Sequence, residues 1–236
     1  MQWSDTTNNT GILQEIRRSL RQPATGGLWL DTDLLRRANI IMRSICEQSE
    51  CLRLLDTSNT SISGTAAYNK PTGCSRIIGV AYGTVRIFGV LKSELDMISL
   101  QSGQVWQTLS GGCANGGRYI DYPTTIQLIP APTDTGTTVT IEYMAQPTEL
   151  ANVTDIPFNA LSNLYSFHDI IAAGVVYRCL LEEKNQFYSE WKGIYDRGIA
   201  RLKDFVRDMP DTLMTTILVG GGGGRNISPL PGSTGF

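Results

Sequence analysis

Residues 31–63 read DTDLLRRANIIMRSICEQSECLRLLDTSNTSIS, and the pattern of apolar side chains changes within this stretch. In the first part, apolar residues recur every three or four positions, which predicts an amphipathic helix over residues 32–52. At ~1.5 Å per residue this helix would be roughly 30 Å long, and Asp31 or Thr32 can cap its start. After Leu52 the sequence becomes rich in Ser and Thr, in short alternating runs that predict β-strands. The stretch therefore marks a boundary between a helical part and a β part.

The segments on either side of this stretch show the same two patterns of apolar residues, one typical of helices and one typical of strands. One short amphipathic helix is predicted upstream, over residues 11–21. Downstream, the region 53–150 contains short alternating runs separated by turn residues, which predicts a compact antiparallel β domain with one short helix around residues 93–99. Helical periodicity returns after Pro157 and breaks near Asn185. This pattern predicts an antiparallel pair of helices.

Together these segments predict an α+β fold. We expect a four-helix bundle, made of two N-terminal and two C-terminal helices, with an inserted antiparallel β domain and an extended C-terminal tail. The expected boundaries are an N-terminal arm at 1–9 that is frayed or held by a partner, a bundle at 10–52 and 157–209, a β domain at 53–150, and a Gly/Pro-rich tail at 210–236.

The composition narrows the function classes. With 41% hydrophobic and 18% charged residues among 236, the chain is typical of a globular protein. A net charge of -2 argues against a protein whose main task is to wrap nucleic acid. Five cysteines without a CxxC pair, and a single histidine, predict reduced thiols rather than disulfides or a zinc site. We also expect no secretory leader, and no run that approaches the ~18–20 apolar residues of a membrane span.

No pattern in the sequence predicts a catalytic site or a cofactor. His168 lies within an apolar helical stripe, so a core or interface histidine is favoured over a catalytic base. Glu182 and Glu183 are adjacent on a helix and point ~100° apart, so they do not converge as an acid–base pair. The glycine run Gly220–Gly224 lacks the Lys-Ser/Thr of a phosphate loop, and prolines follow it. A binding or structural protein is therefore the leading class.

Three segments, in order, carry a resemblance to a known family. The first is SLRQPATGGLWLDTDLLRRANIIMRSIC, with Trp29, Asp31 and Asn39-Ile40-Ile41. The second is YIDYPTTIQLIPAPTDTGTTVTIEYMAQPTEL, and the third is the closing helix with FYSEWKGIYDRGIARL. Across roughly residues 12–207 this ordered combination resembles the head–tail connector (adaptor) proteins of tailed bacteriophages. In the second segment the matching positions are Ile126, Leu128, Pro130, Pro132, Tyr143, Pro147 and Leu150.

This resemblance implies a structural virion protein at the neck, assembled in the host cytoplasm, with neither enzymatic activity nor a cofactor. It implies a homo-oligomeric ring of twelve copies, a dodecamer, that binds the portal protein and tail or nozzle proteins. Double-stranded DNA would pass through the lumen of the ring, and no membrane would be involved.

Two sets of residues are candidates for contacts in such a ring. The tail would use Gly220, Gly221, Gly222, Gly223 and Gly224 as a flexible tether. Its anchors on the portal or a neighbouring subunit would be Arg225, Ile227, Pro229, Leu230, Pro231 and Phe236. A disordered end remains the alternative for this tail. Helix packing or contacts between subunits would use Leu35, Ile41, Ile45, His168, Trp191 and Tyr195.

Two other functions stay open. One is a virion-associated hydrolase that uses carboxylates. The other is a DNA-binding module that uses the arginines of the first helix and an aromatic helix, although the pI of about 5.5 argues against it. The aromatic residues of that helix are Phe187, Tyr188, Trp191 and Tyr195.

Overall fold

The structure is a computed structural model of the chain, and it describes residues 1–5, 7–8, 10–23, 27–102 and 117–208. Within these ranges the helices are α1 (Ile12–Ser19), α2 (Asp31–Ser49), α3 (Lys92–Ser102), a 3-10 helix (Ser162–Phe167), α4 (His168–Glu182) and α5 (Tyr188–Arg207). The strands are β1 (Arg53–Thr60), β2 (Ala67–Asn69), β3 (Cys74–Tyr82), β4 (Val85–Gly89), β5 (Arg118–Asp121), β6 (Thr125–Ile129) and β7 (Thr138–Ala145). The fold is α+β.

Helix α4 lies at the centre of the helical core. Its sequence, HDIIAAGVVYRCLLE, is apolar around most of its circumference, and such a helix must be covered on several sides. Helices α1, α2 and α5 all pack against it. Large side chains that are fully buried in this core include Ile12, Ile16, Leu34, Ile41, Met42, Ile45 and Leu164.

Two glycines allow the helices to approach closely. A Cβ on Gly174 of α4 would lie 2.7 Å from Cγ2 of Ile41 on α2 and 3.0 Å from the ring of Tyr195 on α5. A Cβ on Gly198 of α5 would lie 2.8 Å from Cγ1 of Ile170 on α4. Both glycines are therefore packing positions, at which the absence of a side chain sets the distance between helices.

The seven strands form one sheet in the order β1-β7-β3-β4-β5-β6-β2. The two edge strands are linked by a hydrogen bond from Nδ2 of Asn59 to the carbonyl oxygen of Asn69, at 3.2 Å, so the sheet is nearly closed. Its interior is a second apolar core, separate from the helical one. That core contains Tyr68, Ile77, Val80, Tyr82, Ile87, Tyr119, Ile126, Leu128, Val139, Ile141 and Tyr143.

The sheet corrects the expectation of a purely antiparallel β domain. Strands β4 and β5 pair in parallel, through Phe88 with Arg118 and Gly89 with Tyr119. A parallel pair needs a crossover connection, and the chain between these strands contains α3. The short helix expected around residues 93–99 is thereby confirmed, and it belongs to this crossover.

The helices also differ from the expected arrangement. A four-helix bundle is not confirmed in the form predicted, because α1 has 8 residues whereas α2 and α5 have 19 and 20. Helix α2 ends at Ser49 instead of residue 52. The reason is Glu50, which adopts a left-handed conformation (φ 53°) and donates its N–H to the carbonyl of Cys46.

The first residues of the chain are held by the chain itself, contrary to the expectation of a frayed or partner-held arm. The side chain of Trp3 is 3% exposed and belongs to the helical core. The backbone N–H of Trp3 donates to the carbonyl oxygen of Asp155 at 2.7 Å. The backbone N–H of Ser4 donates to the carbonyl oxygen of Val153 at 2.9 Å. A single tryptophan in a polar run carries no periodicity, so sequence patterns could not reveal this contact.

The stretch Ser162–Glu182 is long and apolar enough to cross a membrane by length and composition, contrary to the expectation that no run approaches a membrane span. Of its most apolar window, 67% is buried inside the protein. It comprises the 3-10 helix and α4, so coverage by the other helices accounts for its apolar character.

Substituting alanine for the packing glycines tests how closely these helices are packed. We expect Gly174→Ala and Gly198→Ala each to lower the free energy of unfolding by about 1–3 kcal/mol, because the new methyl group overfills the core. Urea unfolding followed by circular dichroism measures the change.

The matched control is Gly193→Ala, also on α5. A Cβ there would meet only Nη1 of Arg197, at 3.5 Å, so we expect a gain of about 0.5–1 kcal/mol from helix propensity. Equal stabilisation by all three substitutions would contradict the packing described.

Candidate interaction surface

A polar cluster joins the loop before α2 to the end of α4. The side chain of Arg37 is 12% exposed, and both of its terminal nitrogens donate to the carboxylate of Glu182, Nη2 to Oε2 at 2.7 Å. Its guanidinium carbon lies 4.3 Å from the centre of the Trp29 ring. The indole Nε1 of Trp29 in turn donates to Oε1 of Glu183 at 2.7 Å. The cluster thus fixes Trp29 against the turn between α4 and α5.

The electrostatics of this cluster keep its ion pair charged. Hydrogen bonding to Arg37 lowers the pKa of Glu182, and the same bond raises the pKa of Arg37. Glu182 and Glu183 have different partners, Arg37 and Trp29. The arrangement suits a structural clamp between two helices.

Apolar side chains flank this clamp and remain exposed. Leu28 and Leu30, on either side of Trp29, are 71% and 60% exposed. Leu181 and Phe187, on either side of the α4–α5 turn, are also about half exposed. We call these four residues the apolar end. Exposed apolar patches that are rimmed by polar residues are typical of protein interaction sites.

The exposed face of α5 continues from Phe187. Phe187, Trp191 and Ile194 have the i, i+4, i+7 spacing of one helix face, and Ile194 is exposed whereas Trp191 packs partly on the core. A separate buried stripe holds α5 against α4. It contains Tyr195, Ile199, Leu202 and Val206.

A second clamp joins α2 to the segment after β7. The side-chain amide of Asn39 donates to the carbonyl of Leu150 at 3.0 Å, and its oxygen accepts the N–H of Leu150 at 2.8 Å. The neighbouring Arg43 forms an ion pair with Glu149. These bonds fix the end of the β part against the middle of α2.

A family model described as SU10 adaptor protein matches residues 7–218. The chain belongs to the SU10 adaptor protein family. This family is one of phage head–tail adaptors, which confirms the resemblance seen in the sequence. A search of curated proteins found no match to this chain.

The structure places the predicted contact residues of this SU10 adaptor in two settings. Ile41, Ile45 and Tyr195 are buried within the chain's own helical core. Leu35 and Trp191 are half-buried at the margin of that core. The tail residues Gly220–Gly224, Arg225, Ile227, Pro229, Leu230, Pro231 and Phe236 lie outside the described residues.

His168 is enclosed at the start of α4. Its Nε2 donates to the carbonyl of Pro157 at 2.9 Å, and its ring lies 5.3 Å from that of Tyr165. Burial lowers its pKa to about 4, so the imidazole is neutral at physiological pH. These contacts favour a structural role for His168, which holds the segment before α4 in place.

Within the described ranges, no group of three or more His, Cys, Asp or Glu side chains could hold a metal ion. The apolar end is the feature of this adaptor that sequence reasoning missed. Leu28 and Leu30 follow the glycine pair and flank Trp29, and two large apolar residues in a glycine-rich loop are the signal that could have revealed it.

The buried histidine predicts a loss of stability in mild acid. An unfolded histidine titrates near 6.5, so the unfolded chain binds more protons than the folded one as the pH falls from about 6.5 to 4. We expect this group to lower the free energy of unfolding by about 3 kcal/mol over that range. The measurement is urea unfolding at a series of pH values.

The control for this titration is His168→Gln, whose amide can still donate to Pro157 but does not titrate. The wild type should lose stability relative to this variant on acidification. If the two proteins respond identically to pH, His168 is not buried and neutral as described.

Proposed function

We propose that this chain is a structural head-to-tail adaptor that assembles into a ring, dodecameric as in the related connectors, between a portal protein and tail or nozzle proteins. Membership of the SU10 adaptor family is the observation that carries this proposal. In it, the helical part (10–52 and 157–209) forms the wall of the ring, and the inserted β part (53–150) shapes one face. The ring is built in the host cytoplasm and resides at the virion neck.

The exposed surfaces of the helical part support assembly. Identical subunits close into a ring when one surface of each binds a different surface of the next. The apolar end and the exposed face of α5 offer apolar area for such contacts, and the Arg37–Glu182 clamp holds the apolar end in position. Burial of about 100 Å² of apolar surface would contribute about 2.5 kcal/mol.

The contacts of the acidic side chains and the histidine favour a protein that binds partners over one that catalyses a reaction. The carboxylates of Glu182 and Glu183 are engaged with Arg37 and Trp29, and His168 is enclosed and neutral. With a net charge of -2, the protein is also suited to a lumen through which DNA passes without tight phosphate contacts. These features favour an adaptor over a hydrolase or a DNA-binding module.

The apolar end should be required for assembly. We expect the double variant Leu30→Glu/Phe187→Glu to weaken ring formation, alone or on the portal protein, by at least about tenfold, because charges would be buried in an apolar contact. Mass photometry measures the fraction of assembled protein over a concentration series.

The control is Ile62→Glu, which places one glutamate at an exposed apolar position on the β part, to be compared with the double variant and with each of its single substitutions. It should assemble like the wild type. Assembly of the double variant at wild-type concentrations would exclude the apolar end from the interface.

The C-terminal segment is proposed to reach the portal or a neighbouring subunit. Its 17 residues from Gly220 to Phe236 could span roughly 55–60 Å when extended. Removal of residues 220–236 should weaken binding to the portal protein and leave the folding of residues 1–208 unchanged. Unaltered portal binding would instead favour a disordered end.

A further inference from the structure

Two thiols lie against each other where the helical core joins the sheet. Cys46 is in the last turn of α2 and Cys51 is two residues before β1. The left-handed conformation of Glu50 reverses the chain between them. As a result their sulfur atoms are 3.9 Å apart and within hydrogen-bonding distance.

A cavity gives access to one of the two thiols. It has a volume of about 350 Å³ and lies between α2 and the strands β3 and β7, and Cys46 forms part of its wall. Cys46 is 5% exposed, whereas Cys51 is 0% exposed. A small reagent that enters this cavity therefore meets Cys46 first.

The charged residues of the cavity indicate a class of reagent. Two arginines, Arg43 and Arg76, and two glutamates, Glu47 and Glu50, line it. The ion pairs of Arg43 with Glu149 and of Arg76 with Glu50 lie on the surface. Exposed ion pairs contribute little to stability, so an incoming carboxylate can compete for the guanidinium groups. A small peptide disulfide that carries both carboxylate and ammonium groups fits this mixed lining.

We propose that Cys46 and Cys51 form a redox-active dithiol, which is converted to an intramolecular disulfide by exchange with a glutathione-type disulfide. The Cys46 thiolate attacks one sulfur of the small disulfide, forms a mixed disulfide and releases the first thiol. The Cys51 thiolate then attacks Sγ of Cys46 and releases the second thiol. Two protein thiols are oxidised and one small disulfide is reduced to two thiols, so electrons and protons balance.

Formation of the disulfide needs only a local movement of Cys46 and Cys51. A disulfide has an S–S distance of about 2.05 Å, so the sulfur atoms must approach by about 1.9 Å. The new bond joins the end of α2 to the residues that lead into β1, and it fixes the junction between the two parts of the fold. Cytosolic thiols stay reduced, so in the proposed virion role the bond would form after release from the host. Only this timing depends on the proposed function.

The test uses the folded full-length protein with oxidised glutathione at about pH 8. The hydrogen bond with Cys51 and burial raise the pKa of the Cys46 thiol, so a mildly alkaline solution is needed to increase its thiolate fraction. Trypsin releases Ser44–Arg53, which contains both cysteines. We expect this peptide from the wild type to lose two hydrogens and to carry no glutathione. Circular dichroism before and after oxidation checks that the fold is retained.

Two variants distinguish the roles of the thiols. Cys51→Ser should retain one glutathione on Cys46, because the resolving thiol is absent. Cys46→Ser should leave Cys51 unmodified, because that thiol has no exposed surface. A wild-type peptide that stays reduced, or that keeps a glutathione adduct, overturns the proposal even if neither variant folds. Since these outcomes require no portal or ring, they are independent of the adaptor function.

Discussion

The burial of α4 is the constraint on which the rest of the structure depends. This helix is apolar on most sides, so α1, α2 and α5 must all cover it. Its covering helices come from both ends of the chain, and the segment between them must leave the helical core and return to it. The sheet is thus an insertion whose entry, at Leu52, and exit, at Leu150, both pack into the helical core.

Polar contacts then determine how the covering helices are aligned. Asn39 binds the returning chain at Leu150, Arg37 binds the end of α4, and Arg17 binds Asp31 at the start of α2. Buried or half-buried hydrogen bonds of this kind are costly to leave unmade, so they specify one arrangement of the helices. That arrangement places Leu28, Leu30, Leu181 and Phe187 on the surface. The exposure of these residues, which suits an adaptor, follows from the packing of the helical core.

Local periodicity predicted much of this fold. The spacing of apolar residues was sufficient to predict the helices α2, α4 and α5. Alternating runs separated by turn residues were sufficient to predict strands in residues 53–150. Contacts between distant residues were not predictable in the same way. Asn39 and Leu150 were both noted as family positions, yet their mutual hydrogen bonds join residues 111 positions apart. The parallel pairing of β4 with β5, the burial of Trp3 and the exposure of the apolar end likewise depend on tertiary packing, which no local pattern encodes.

In the proposed assembly, the apolar end of the helical core is a contact surface of the adaptor. This contact can be measured by amide hydrogen exchange of the free chain, compared with the chain bound to its portal protein or assembled into a ring. We expect amides at residues 28–30 and 181–187 to exchange more slowly in the assembly, whereas those around Ile62 should not change. Unchanged exchange at the apolar end in a fully assembled sample would contradict the proposed contact.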